Sequence, residues 1–156
     1  MIAFKEWDIV CKALEEGRQS LILRKGGIHE GREGFSFAHD EFVLFPTRFH
    51  AQGDYVKIPG VVTKPEWEIV DEVVINSKVK VKKAVTLTDW NEVALLADQH
   101  IWTEETILDR FFWQGKGMAS GSIHVAYVEV EKLKSSVRFN YANKHRGCRS
   151  WVEIDL

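Results

Sequence analysis

Between Ser122 and Val130 the side chains Ile123, Val125 and Tyr127 alternate with His124, Ala126 and Val128. Both alternate faces are therefore largely apolar. A strand of that kind is stable only with a layer over each face and a neighbour on each edge, so it belongs in the middle of a sheet. The rest of the chain must supply further strands and the helices that cover them.

Candidate strands are at hand. Leu21 to Leu23 is an apolar run that closes on Arg24 and Lys25, giving a strand over 20–25. Phe42 to Phe45 gives another over 41–46, and Pro46 limits its use as a central strand. A short strand over Tyr55–Ile58 precedes the turn residues Pro59 and Gly60. In Lys78-Val79-Lys80-Val81-Lys82 lysines and valines alternate, which predicts a strand over 78–85 with one apolar face and one lysine face. Asn76-Ser77 reads as a turn before it, and the lysines as the guard of a solvent-facing edge. Strand 122–131 is succeeded by the alternating Val137, Phe139 and Tyr141, a turn over 143–147 and a last strand over 150–154.

Three helices are predicted. Ala3, Phe4, Trp7, Val10, Cys11 and Leu14 recur at intervals of three and four, and Gly17 ends that pattern, which gives a helix over 3–15. Residues 7–14 also alternate, so a strand is the rival reading there. Asp89, with Glu92 three residues on, caps a helix over 89–99. Thr103 caps one over 103–113, with Trp102 and Ile107 placed as a hydrophobic staple and Glu104 and Glu105 complementing the helix dipole. The expectation is one α+β domain over 1–156, with a mixed or antiparallel sheet, an N-terminal helix and a central helix pair.

Composition narrows the partners. With 45% hydrophobic and 28% charged residues among 156, the chain is long enough and apolar enough for one substantial core. A formal net charge of −2 excludes a global basic field, so any polyanion site must be local. Cys11 and Cys148 lack zinc-type spacing and read as reduced core thiols. No leader-like N-terminus and no membrane-length apolar run is present, from which a cytoplasmic protein without membrane contact is expected.

The functional residues crowd into 21–50. Arg24-Lys25-Gly26-Gly27 sets two cations beside a backbone that approaches an anion closely, though no GxxxxGK[ST] is present. His29, His39 and His50 come next, with Arg48. The expected site is a polar cleft of Arg24, Lys25, Gly26, Gly27, His29, His39, Arg48 and His50. Its ligand is phosphate-bearing, a nucleic acid or nucleotide. An alternative uses His29, Glu30, His39, Asp40, Glu41 and His50 to hold a divalent metal for phosphodiester cleavage. Against it, HExxH is absent, and no acid has Lys two residues later, as PD-(D/E)xK nucleases require. Whether the protein is an enzyme stays open, no cofactor is expected outside the metal alternative, and a non-catalytic protein-interaction domain is the remaining reading. Arg110 beside Phe111-Phe112-Trp113 has the residue types that stack on bases, but three aromatics at a helix end read first as core.

The segments AFKEWDIVCKAL, LILRKGGIHEG, EFVLFPTRFH, HIWTEETILDRFFW and GCRSWVE, in that order, resemble the prokaryotic domain-of-unknown-function family 1802 over nearly the whole chain. That resemblance implies a family and no particular activity. More locally, a helix running into Gly17, then Arg18-Gln19-Ser20 and a strand ending in Arg24, is similar to the opening of ASCH and related PUA-like domains. In those domains such a segment lines an RNA- or nucleotide-binding cleft. Gln19 and Ser20 stand where they usually carry Lys and Thr.

Overall fold

The computed structural model describes residues 1–25, 37–49, 51–61, 63–112 and 121–155. The elements are β1 (Ile2–Trp7), α1 (Asp8–Glu15), β2 (Leu21–Lys25), β3 (Glu41–Thr47), β4 (Glu72–Leu87), α2 (Trp90–Ala94), α3 (Glu104–Phe111), β5 (Ile123–Asn140) and β6 (Trp151–Glu153). They form an α+β domain around one mixed six-stranded sheet, ordered β2-β5-β4-β3-β1-β6. The parallel pair is β1 with β3; the other neighbours are antiparallel. As its pattern requires, β5 lies inside the sheet between β2 and β4.

The N-terminal helix is shorter than predicted. Residues 2–7 are a strand, and α1 begins only at Asp8. Ala3, Phe4 and Trp7 fit a helical spacing, but Ala3, Phe4, Lys5 and Glu6 are all buried in the slot between β3 and β6. Backbone pairing on both edges outweighs the weak local preference. The end of α1 is as read: Gly17 takes φ 77°, the left-handed conformation that closes a helix.

Other local readings change for identifiable reasons. Asn76-Ser77 is no turn; it lies within β4, where the register with β5 shifts between Ile75 and Ser77. The lysine strand is not an edge, because β3 and β5 flank it. Lys78 and Lys80 face Glu131 and Glu129 on β5, and Lys80 faces Glu41 on β3, so the lysine row is matched by glutamates. Instead of a strand at Tyr55–Ile58 there is a 3-10 turn, Gln52–Tyr55, and a single bridge from Val56 to Trp102. The helix predicted over 89–99 stops at Ala94. Bonds from Leu96 N to Val93 O (3.0 Å) and Gln99 N to Leu96 O (2.9 Å) tighten the next residues into a 3-10 turn. Cys11 is buried as expected, but Cys148 is exposed.

Two apolar clusters occupy the two sides of the sheet. The larger holds Phe4, α1, Leu21 to Leu23, Phe42, Leu44, Trp102, Ile107 and Phe111; the smaller holds Ala3, Val43, Phe45, Val73, Ile75 and Ile154. Strand β4 serves both: Val73 and Ile75 pack in the smaller cluster and Val79 in the larger, on either side of the first shift in its register with β5. Among the described residues no helix is long and apolar enough to cross a membrane.

The turn between α2 and α3 is fastened on both sides. Gln19 Oε1 accepts from Ile101 N at 3.0 Å, and Thr103 Oγ1 caps α3 by accepting from Thr106 N at 3.2 Å. Replacing Thr103 with Ala should lower stability by about 1 kcal/mol, read as a shifted urea midpoint with an unchanged slope. In the same turn His100 is buried, and its pKa falls from 6.5 to about 4. Desolvation is the main cause, followed by the charges of Lys57 and Arg110. The unfolded chain therefore takes up the proton more readily than the folded one. The stabilisation is complete above about pH 6.5 and is lost as pH falls toward 4. His124 and His145, whose pKa values burial also lowers, act in the same direction. Urea titrations from pH 7.5 to 4.5 should show this loss, and His100→Phe should lose less over that range.

Candidate anion site around Glu6, Arg24 and Arg110

Alternation along β1 puts Glu6 on the same face as Phe4, beneath the larger core. Its carboxylate is fully buried. Oε1 accepts from Trp7 N at 2.8 Å, and Oε2 lies 3.4 Å from Nη1 of Arg24 on β2. Nη2 of Arg24 donates to the Lys5 carbonyl, and its guanidinium sits 4.3 Å above the Phe4 ring. The buried Nε of Arg24 has no partner among the described residues.

Arg110 comes from the last turn of α3, where the carbonyl end of the helix favours a cation. It is 8% exposed; Nη1 donates to Leu23 O at 3.4 Å, and the guanidinium lies 4.4 Å from the Trp102 ring and 5.0 Å from the Trp7 ring. Burial lowers its pKa to about 10; Glu6 works against that shift and Arg24 with it. It stays charged at neutral pH. Lys25, next along β2, has a pKa lowered first by burial and then by Arg110, with Asp109 opposing. Two guanidiniums are thus gathered around one buried carboxylate, with Lys25 between Arg110 and Asp109.

An aromatic path leads outward from this cluster. The Trp7 ring packs against Phe49 at 4.9 Å and Tyr55 at 5.8 Å, and Tyr55 is 42% exposed. Arg110 is thus joined to the surface through rings.

Of the residues predicted from sequence, Arg24 and Lys25 fall in this cluster. His39 packs its ring edge-on to Trp151 at 4.9 Å, and Trp151 packs edge-on to Phe4 at 4.8 Å, so two rings separate His39 from Arg24. Arg48 goes elsewhere: its guanidinium covers Trp67 at 3.4 Å, beside a small cavity shared with Asp8, Lys12 and Glu15. Gly26, Gly27, His29, Glu30 and His50 lie outside the described residues. Asp40 and Glu41 are exposed, and among the described residues no three of His, Cys, Asp and Glu meet as a metal-binding set. Sequence reading missed Glu6 altogether and took Arg110 for part of a core segment.

The match to known proteins fixes the family. A family model described as Domain of unknown function (DUF1802) fits residues 3–156. The chain belongs to the DUF1802 family. No curated protein matches it. Among solved structures it is similar to an ASCH protein from Zymomonas mobilis, with TM-score 0.47 and 15% identity over 82% of this chain and 66% of that one. A point variant of the same ASCH protein gives TM-score 0.48 and 12% identity over the same shares. This DUF1802 chain therefore spans just under two thirds of the length of the ASCH chains it matches.

The charge balance of the cluster is directly testable. Glu6→Gln keeps the shape but removes the carboxylate that holds Arg24 and offsets Arg110. It should destabilise the fold by about 3 kcal/mol, the usual cost of stripping one partner from a buried ion pair. Added sulfate should restore part of that loss in the variant and do much less for the wild type. Urea unfolding with and without sulfate measures both.

Proposed function

We propose that this protein binds a phosphate-bearing ligand, a single-stranded nucleic acid or a nucleotide, with phosphate at Arg24, Lys25 and Arg110 and a base against Tyr55. The observation that carries this reading is the excess of cation over carboxylate in the cluster. Buried guanidiniums with hydrogen-bonding capacity left over favour an anion that accepts from several donors at once, as phosphate does. The exposed ring of Tyr55, continuous with Trp7 and Phe49, favours a ligand that brings a base with its phosphate, because stacking tolerates any base. The local sequence similarity of Gly17 to Arg24 to ASCH and PUA-like domains points the same way. Of the cleft predicted from sequence, the proposal keeps Arg24 and Lys25, adds Arg110 and Tyr55, and does not depend on Arg48. Nothing favours the metal-dependent phosphodiesterase alternative.

Fluorescence anisotropy with a 5′-labelled twelve-residue oligouridylate, competed by uridine monophosphate, tests the reading. Log affinity should fall linearly with log salt at a slope of about −2, as neutralising two or three phosphates of a single strand implies. Lys25→Ala should weaken binding several-fold and make the slope shallower. Tyr55→Ala should weaken it while leaving the slope unchanged. Equal affinity in wild type, Lys25→Ala and the Arg24→Ala/Lys25→Ala double variant, each confirmed as folded, would rule the site out. Competition by the mononucleotide at comparable concentration would identify a nucleotide site, and its absence a strand site.

A further inference from the structure

A cavity of about 460 Å³ opens on the other face of the sheet from Arg24 and Arg110, where Lys5 points away from Glu6 and Phe45 belongs to the smaller core. Arg48, which the proposed function does not use, forms one wall. Its guanidinium lies 3.4 Å from the Trp67 ring, and Trp67 in turn stacks on Tyr141 at 6.0 Å with 20° between the planes. Trp67 Nε1 donates to Pro46 O at 2.7 Å, which ties the stack to the strand that leads into Arg48. Backbone bonds from Val70 N to Tyr141 O (2.9 Å) and from Tyr141 N to Asp71 O (2.7 Å) fasten the two ring-bearing segments together. They hold Val70 at φ 71°, a conformation that a β-branched residue rarely adopts.

Charge in this cavity is unbalanced. Among the described residues no side-chain hydrogen bond or ion pair ties up the half-buried Arg48 or the exposed Arg146. Burial lowers the Arg48 pKa, with Asp8 and Asp71 opposing, yet neither carboxylate forms an ion pair with it. Lys5, 8% exposed, is held beneath the floor by the carbonyls of His145 and Gly147. Its pKa is lowered by burial and then by Arg149, with Cys148 opposing, so no carboxylate offsets it either. Against these three cations the lining supplies one carboxylate, the exposed Glu66. The Tyr141 pKa is raised by burial, with Arg146 opposing and Glu66 adding, so its hydroxyl keeps its proton and donates. Arg48, Arg146 and Tyr141, all at least partly open to solvent, therefore present donors with little to receive them.

We propose that this cavity binds a small organic phosphate, a monoester whose terminal group is a dianion. Three cations less one carboxylate leave an excess of two positive charges, which a phosphate dianion neutralises and a single carboxylate does not. Arg48 and Arg146 reach the phosphate oxygens directly, the planar fork of Arg48 being held ready by Trp67. Lys5, covered by the floor, acts through its charge rather than by contact. The cavity exceeds what a bare phosphate fills and falls within the range of about 300–1,000 Å³ usual for small-molecule sites, so the ester carries an organic group. The site shares no side chain with Arg24, Lys25, Arg110 or Tyr55, and it holds whether or not the proposed function does.

The probe is phenyl phosphate, titrated into the full chain labelled with ¹⁵N at tryptophan, with the indole N–H signals followed by NMR. The Trp67 signal is recognised as the one absent from Trp67→Phe. Phenyl phosphate should move it in a saturable way and bind more tightly than benzoate, while sodium chloride at the same ionic strength moves it little. Arg48→Lys keeps the charge but loses the planar stack and fork, and Arg146→Ala removes an exposed cation. Each should weaken binding about ten-fold in a folded protein, the loss of one charge-assisted hydrogen bond. Lys25→Ala should bind phenyl phosphate as the wild type does. The proposal is overturned if phenyl phosphate moves the Trp67 signal no further than chloride does, or if benzoate binds equally well. Wild-type affinity in both Arg48→Lys and Arg146→Ala, or loss of the response in Lys25→Ala, overturns it too.

Discussion

A carboxylate with no exposure to solvent holds the two ends of this sheet in relation to each other. Glu6 is on β1 and Arg24 on β2, with three strands between them in the sheet order. For their side chains to meet at 3.4 Å, and for Arg24 to reach the Lys5 carbonyl, the sheet must curl until its first and fifth strands face across the larger core. Removing charge from water is costly, and that cost is recovered only when partners arrive in the right geometry. The pair therefore does more to specify the curl than to add net stability. Arg110 depends on the same arrangement, because its bond to Leu23 O requires β2 to lie under the end of α3.

The curl is made possible by the long β4–β5 ribbon. These strands run for 16 and 18 residues, and an unbroken ladder of that length gives each strand face one fixed partner layer. Register shifts after Ile75 and after Val81 break the ladder and increase the twist, and across the first of them the inward residues of β4 pass from the smaller core to the larger. Ser77, at the first shift, is buried and its hydroxyl donates to Glu15 Oε1 at 2.8 Å, tying the bulge to the end of α1. The polar contact sits where the strand is least able to satisfy itself.

How much of the fold was legible in the sequence depends on the range of each interaction. Ser122 to Val130, Leu21 to Lys25 and Glu41 to Pro46 were readable as strands because alternation and apolar runs are local, and both Thr103 and Asp89 were readable as caps because a cap acts within three residues. The start of α1 was not, because Ala3, Phe4 and Trp7 satisfy a helical spacing and a strand alike, and the choice is made by β3 and β6, more than thirty residues away. Arg24 and Lys25 stood out by density of charge. Glu6 had no such signal: in AFKEWD it is one acid beside a lysine, and its role exists only once β2 is folded against β1. Arg48 and Arg24 both follow apolar strands in the sequence, yet one covers Trp67 and the other joins the cluster.

The placement of the rings explains why the cluster persists without a carboxylate for each cation. Arg110 lies over Trp102 and Trp7, and Arg24 over Phe4. A ring face offers a guanidinium partial negative charge without taking up its N–H donors, which stay in the plane of the group. A second or third glutamate at those positions would quench the charge and occupy the donors together. Rings leave the donors free to bond in the plane of the group, where those of Arg24 and Arg110 reach Glu6, the Lys5 carbonyl and the Leu23 carbonyl. Lysine has no planar face to stack and would not be held this way; Lys25, like Arg110, has a pKa lowered by burial and by a neighbouring cation.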